Sequence, residues 1–254
     1  KTKIIEKRNT RDHTERLMRY LKINFKKKIL NKNSTSIELN GPYEIKPRDI
    51  IVASDPSSAA FFIVGALIIP KSMITLKNIA LNKSRIAFID VLKKMGGKIT
   101  VKKTKTISGE DVGDIHVKYS LLNAIKIKAS SSPYLIDEYP ILSIAASQAK
   151  GVTVMRGLSE LRHKESDRIK SITTNLAKLG FRVVSKNDNI SIKGSSKIQI
   201  AKQKKIKSYG DHRIAMSFVI LSLLYKSKLI IDDESCISIS YPDFRKHLKK
   251  LSIH

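Results

Sequence analysis

A single cysteine, Cys236, stands in 254 residues, so no disulfide can close within the chain and a cysteine-rich metal site is excluded. That scarcity suits a reducing compartment, and the expected location is cytoplasmic. Tryptophan is absent and aromatic residues make up only 6%. A core must therefore be built from the Ile, Leu, Val and Ala that dominate the 41% hydrophobic fraction. Long apolar runs are missing as well. The stretches Ala59 to Pro70 and Ile214 to Tyr225 fall short of the roughly 18 residues of a spanning helix, and the N-terminus carries no signal-peptide pattern. No membrane association is expected. Acidic residues are few, 22 against 49 Lys and Arg, for a net charge of +27. Such a balance suits nucleic acid, an anionic membrane surface or acidic substrates. The lysines, however, are spread along the whole chain beside Ile, Asn and Ser. They form no basic arm with interleaved aromatics, which favours solvated lysine-rich faces and no nucleic-acid partner. Phosphate-cradling glycine runs after a strand, paired histidines at metal-ligand spacing and a histidine partner for Cys236 are all lacking. Dinucleotide, Walker-type, metal and thiol chemistries are left without their fingerprints.

What the chain does have is a repeat of roughly 75 to 85 residues, the length of a repeated supersecondary unit. Apolar helices followed by short strands recur at Ser58 to Ile69 with Met73 to Leu76, Ile141 to Ala149 with Val152 to Met155, and Arg213 to Leu224 with Leu229 to Ile231. Apolar on most faces, these helices belong in buried layers. Amphipathic helices follow, with stripes Phe88, Val91, Leu92, Met95 and Ile169, Ile172, Leu176, Leu179. They end at Gly96-Gly97 and Gly180, residues that tolerate a left-handed cap. Alternating strand pairs come next, Lys98 to Lys102 with Asp114 to Tyr119, and Phe181 to Ser185 with Ile190 to Lys193 across Asn187-Asp188-Asn189. In circular order one unit reads β-α-β-α-β-β. The first fifty residues match only its later part: a strand at Lys3 to Lys7, a helix at Asp12 to Leu21 with Leu17, Met18 and Leu21 inward, and strands near Phe25 to Leu30 and Ser36 to Leu39. The chain thus reads as starting mid-unit, and the proline-bearing connector from Gly41 to Asp55 places a domain junction near Ala53: residues 1–53, then 54–254.

Three blocks carry candidate chemistry, each at the start of a helix, where free backbone N–H groups and the helix dipole favour anions. Glu165 and Arg168 lie one helical turn apart on the first turn of the helix carrying Ile169, with Lys164 just before them. An acid beside cations can deliver a proton while the cations hold anionic groups. The same spacing also serves a capping acid with surface ion pairs. Asp137 precedes Pro140 and reads either as a general base toward a hydroxyl or as an N-terminal cap. Arg213 follows Asp211, a good N-cap candidate, and lies at the mouth of a very apolar helix, where an unpaired guanidinium is costly and a bound anion would relieve it. His212 reads as a base or as a structural histidine. Asp55-Pro56-Ser57-Ser58 makes a similar start without a cation and reads as capping.

The blocks Ile136 to Pro140, Glu160 to Ile169 and Asp211 to Phe218 closely resemble the EPSP synthase family (3-phosphoshikimate 1-carboxyvinyltransferases). So do Thr10-Arg11-Asp12-His13-Thr14-Glu15, Asp55 to Phe61 and Tyr241-Pro242-Asp243-Phe244, in family order over nearly the whole chain. The resemblance implies an α/β fold, the family's inside-out α/β barrel of repeated β-α-β-α-β-β units. It also implies that this is the C-terminal portion: residues 1–53 as the incomplete tail of one substrate-binding domain and residues 54–254 as a nearly complete second one. A missing N-terminal portion would carry further catalytic groups, leaving the fragment inactive alone. The implied reaction moves the carboxyvinyl group of phosphoenolpyruvate to the 5-hydroxyl of shikimate 3-phosphate with loss of phosphate, with neither a metal nor an organic cofactor implied, in a protein that is monomeric when complete. Asp137 would accept the hydroxyl proton and Glu165 would protonate the methylene carbon. Arg168 and Arg213 would hold phosphoenolpyruvate, and Lys164 and Arg11 would contact shikimate 3-phosphate. His163 replaces a residue usually apolar in the family and is expected only to tune Lys164. Ile239, where many members carry lysine, resembles the subgroup associated with glyphosate tolerance. UDP-N-acetylglucosamine 1-carboxyvinyltransferase chemistry on the same architecture and a non-catalytic basic binding protein are the competing readings.

Overall fold

Helices that are apolar on nearly every side must be enclosed, and this requirement organises the molecule. The computed structural model describes residues 1–7, 11–32, 34–196, 200, 202–225 and 229–251, so Thr10 of the opening motif lies outside the described residues. The chain opens with β1 (Thr2–Glu6), α1 (His13–Tyr20), β2 (Phe25–Asn31) and β3 (Ser34–Leu39). A second run follows as α2 (Pro56–Ile68), β4 (Met73–Ala80), α3 (Ala87–Lys94), β5 (Lys98–Ile107), β6 (Glu110–Lys118) and β7 (Lys126–Ile127). A third comprises α4 (Tyr139–Gln148), β8 (Gly151–Met155), α5 (Arg168–Lys178), β9 (Arg182–Lys186), β10 (Asn189–Gly194) and β11 (Lys204–Ile206). The chain closes with α6 (His212–Ser222), β12 (Leu229–Ile231), α7 (Ser235–Ser240) and α8 (Phe244–Leu251).

The repeat is explicit in the strand order. The sheets run β1-β3-β2, β4-β6-β5 and β8-β10-β9, each with the last strand of its unit inserted between the other two by antiparallel pairing. Parallel pairs link β7 to β8 and β11 to β12, and Ser54 bridges in parallel to Ile79 on β4. Each inner helix therefore crosses over between two parallel strands, the connection that parallel pairing requires. Circular β-α-β-α-β-β units are thereby borne out. The short strands β7 and β11 were not foreseen, because two or three residues carry no periodicity, and neither were the helices α7 and α8.

Helices α2, α4 and α6 pack on one another, with α2 against β4 and β6, α4 against β10, and α6 against β12. The sheets lie outside and the helices inside. Small residues allow the close approach: a Cβ placed at Gly65 of α2 would already touch Ile220 of α6 at 3.5 Å. Serines buried in these helices return their hydroxyls to the backbone, Ser143 Oγ to the Tyr139 carbonyl at 2.7 Å and Ser217 Oγ to that of Arg213 at 2.6 Å. No buried hydroxyl is left unmatched at either position. Gly96 and Gly180 end α3 and α5 with φ of +95° and +94°, as the cap reading required. Leu17 departs from expectation: it is exposed on α1, with Met18 and Leu21 half-buried.

Candidate active site

The N-termini of the inner helices and of α5 converge on one charged cluster. Asp211 caps α6 by accepting from the backbone N–H of Arg213 at 2.9 Å. Fully buried, the same carboxylate accepts from Arg168 Nε at 2.8 Å and from Ser166 Oγ at 3.1 Å. Burial alone would raise its pKa, but the Arg168 hydrogen bond and charge hold it below the ordinary value. Asp167 caps α5 through the N–H of Lys170 at 3.0 Å, so Arg168 begins that helix with its side chain 1% exposed. Its Nη2 donates to Glu165 Oε2 at 2.6 Å, and its Nη1 stands 3.7 Å from Asp137 Oδ1. Nη1 is buried without a hydrogen-bond partner among the described residues. A guanidinium tied down on two nitrogens with the third open is a forked donor awaiting an acceptor.

Asp137 is reached from several directions. Arg11 Nη2 donates to its Oδ2 at 2.6 Å, Arg213 Nη1 donates to its backbone carbonyl at 3.0 Å, and Arg213 Nη2 lies 4.0 Å from Oδ2. Burial pushes the carboxyl up, yet the charges of Arg213, Arg11 and Lys164 together leave it below the ordinary 3.8. Lys164 is exposed at the rim. His212 Nδ1 lies 4.0 Å from Glu165 Oε1. Burial and the neighbouring Arg213 lower its pKa, which keeps the ring uncharged at neutrality.

Asp137, Arg213, Arg11 and the neighbours Glu165 and Arg168, from segments far apart in sequence, are thus brought together, with Lys164 near enough for its charge to act on Asp137. Several local readings need correction. Glu165 is not on the first turn of α5, because Asp167 takes the cap and leaves Glu165 in the preceding turn, where it is 47% exposed. Asp137 does not cap α4, whose cap position is held by Glu138. The Arg213 guanidinium is not unpaired, since it binds the Asp137 carbonyl. Asp55 caps α2 through the N–H of Ser58 at 2.8 Å, but it also has a cation: Arg85 Nη2 reaches its Oδ1 at 2.6 Å from a distant loop.

Sequence reasoning missed two acids. Asp211 was read only as a cap, and its second duty toward Arg168 spans 43 residues with no local signal. Glu138 is 3% exposed, accepts from Ser57 Oγ at 2.6 Å and stands 3.9 Å from Arg213 Nη1. Burial raises its pKa, only partly opposed by Ser57, Arg213 and Arg85. Among the described residues no His, Cys, Asp and Glu are grouped to hold a metal ion, and no helix is long and apolar enough to cross a membrane.

A family model for EPSP synthase (3-phosphoshikimate 1-carboxyvinyltransferase) matches residues 1–248. The 3-phosphoshikimate 1-carboxyvinyltransferase of Petrotoga mobilis is 42% identical over 250 residues, which cover 98% of this chain and 56% of that protein. Among solved structures, EPSP synthase from Acinetobacter baumannii superposes with a TM-score of 0.86 at 36% identity, over 98% of this chain and 56% of that one. An enolpyruvyl transferase from Streptomyces tendae shares the fold at 15% identity, with a TM-score of 0.73 over 98% of this chain and 55% of that one. The chain spans about half the length of the curated relatives it matches.

Proposed function

The chain belongs to the EPSP synthase family, and from that premise we propose that it supplies one wall of a 3-phosphoshikimate 1-carboxyvinyltransferase site. The observation that carries this reading is the convergence of two carboxylates, Asp137 and Glu165, on three arginines, with the buried Nη1 of Arg168 still open. Adding an alcohol across an enol requires one proton removed from oxygen and one delivered to carbon. In this reading Asp137 accepts the proton of the 5-hydroxyl of shikimate 3-phosphate as that oxygen bonds to C2 of phosphoenolpyruvate. Glu165 delivers a proton to C3, giving a tetrahedral adduct. Loss of phosphate and of a C3 proton then restores the carboxyvinyl group.

Arg168 and Arg213 serve the phosphoenolpyruvate carboxylate, Lys164 and Arg11 serve shikimate 3-phosphate, and the ring of cations offsets repulsion between two anionic substrates. A domain division near Ala53 and a requirement for the rest of the family's length, closing a cleft over this wall, belong to the same reading. The exposed position of Lys164 and the 41% exposure of Arg11 support it. Phosphate release from phosphoenolpyruvate with shikimate 3-phosphate tests it in the full-length protein. Glu165→Gln is expected to abolish turnover while phosphoenolpyruvate still binds. Unchanged turnover in that variant would remove the assignment.

A further inference from the structure

The three inner helices use one device at their N-termini, with one exception. Asp55 caps α2 and Asp211 caps α6, each through backbone N–H groups of its own helix. Glu138 holds the corresponding place on α4 and makes no such bond. Its carboxyl turns sideways and accepts from Ser57 Oγ in the first turn of α2 at 2.6 Å. Ser57 Oγ in turn accepts from Arg85 Nη2 at 2.9 Å, and that guanidinium is anchored on Asp55 at 2.6 Å. A hydroxyl has one proton and two lone pairs, so Ser57 can serve both neighbours at once. The same oxygen, Glu138 Oε1, lies 3.9 Å from Arg213 Nη1, the nitrogen that donates to the Asp137 carbonyl. A carboxyl this buried that caps nothing is destabilising in isolation. Its partners give it a use.

We propose that Glu138 is a positioning residue for Arg213, with the Arg85–Ser57–Glu138 chain fixing the angle at which that guanidinium faces the cleft. Pre-orienting a long side chain lowers the entropy lost when an anion binds it. The inference rests on the carboxyvinyltransferase reading only for the identity of that anion, phosphoenolpyruvate.

In the full-length protein, Glu138→Ala is expected to raise KM for phosphoenolpyruvate about tenfold with kcat within about twofold, the scale of one lost hydrogen bond. Glu138→Gln keeps the shape and an acceptor for Ser57, and should recover most of the loss. A merely structural role would move the melting temperature without that KM and kcat split. Crystal structures of wild type and Glu138→Ala give a second arm: the Arg213 guanidinium should leave the Asp137 carbonyl in the variant. Should Glu138→Ala not fold, Ser57→Ala carries both arms, with KM expected to rise about threefold. An Arg213 that keeps its bond to the Asp137 carbonyl, or a kcat loss with unchanged KM, overturns the proposal. Wild-type protein without turnover would instead fell the transferase reading, and the crystallographic arm would still judge Glu138.

Discussion

The units β1-α1-β2-β3 and β8-α5-β9-β10 share strand order and helix placement, yet they are built to different degrees. In the second, Ile169, Ile172 and Leu176 of α5 and Ile190 and Ile192 of β10 are all buried, with α4 packed beneath the sheet. In the first, Ile4, Ile5 and Ile29 are 57%, 54% and 74% exposed, and the buried residues are polar: Glu15, Ser34, Thr35 and Ser36. Identical topology therefore does not imply an equivalent core. A three-stranded sheet with one helix buries enough apolar surface only when another layer covers its open face. The opening unit is held to the rest by polar contacts instead. Arg11 meets Asp137, Asp12 Oδ1 accepts from Asn82 Nδ2 at 2.7 Å, and His13 Nδ1 lies 2.6 Å from Glu110 Oε1.

The most severe way to break this contrast is to strike the buried pair inside the completed region. Asp211→Ala strands the Arg168 guanidinium without its principal partner, and removing one member of a buried ion pair costs about 3–5 kcal/mol. Arg11→Ala removes a pair whose arginine is 41% exposed, and such pairs are worth about 0–1 kcal/mol. Urea denaturation of the two variants should separate them clearly. Similar losses would mean that the two regions are held by the same kind of force.

A smaller effect comes from the apolar stripes of the two helices. Leu176→Ala in α5 empties a fully buried site and is expected to cost about 2–5 kcal/mol. Leu17→Ala in α1, at 37% exposure, should stay within about 1 kcal/mol. Comparable values would show that the opening sheet has a core of its own.

This contrast also marks where the sequence could be read. Three enclosed helices were legible because α2, α4 and α6 are apolar all round, and helix ends were legible at Gly96 and Gly180. The sidedness of α1 was not. Its spacing placed Leu17 inward, but a stripe specifies a face and not the layer that would cover it. At the site, single residues were legible from their helix-start context, whereas the pairings were not. Arg168 with Asp211, Glu138 with Ser57, and Arg85 with Asp55 each cross 30 residues or more, and local periodicity carries no such distance. Glu138 was the hardest, because beside Asp137 nothing local marks it out.

The subtlest test uses pH, since Asp137 and Glu138 are neighbours displaced in opposite directions. Asp137 is held below its ordinary 3.8 by Arg213, Arg11 and Lys164 in spite of burial. Between its folded and unfolded pKa values the unfolded chain binds more protons, so its stabilisation is complete above about pH 4 and fades as acid titrates the folded carboxyl. Glu138 is raised above its ordinary 4.5, chiefly by burial. There the folded state holds the proton more tightly, so its contribution is fullest below the unfolded value and declines as pH rises through the folded one. Stability followed by denaturation across pH should therefore gain an acid limb from Asp137 and lose along an alkaline-going limb from Glu138. Asp137→Asn should erase the first limb and Glu138→Gln the second. Arg11→Ala should shrink only the acid limb, because its charge acts on Asp137 from the opening unit while Glu138 is anchored by Ser57 within the completed region. Loss of both limbs in Arg11→Ala would mean that the opening unit shapes the buried acid as well, and that the boundary between the two regions is less sharp than their burial indicates.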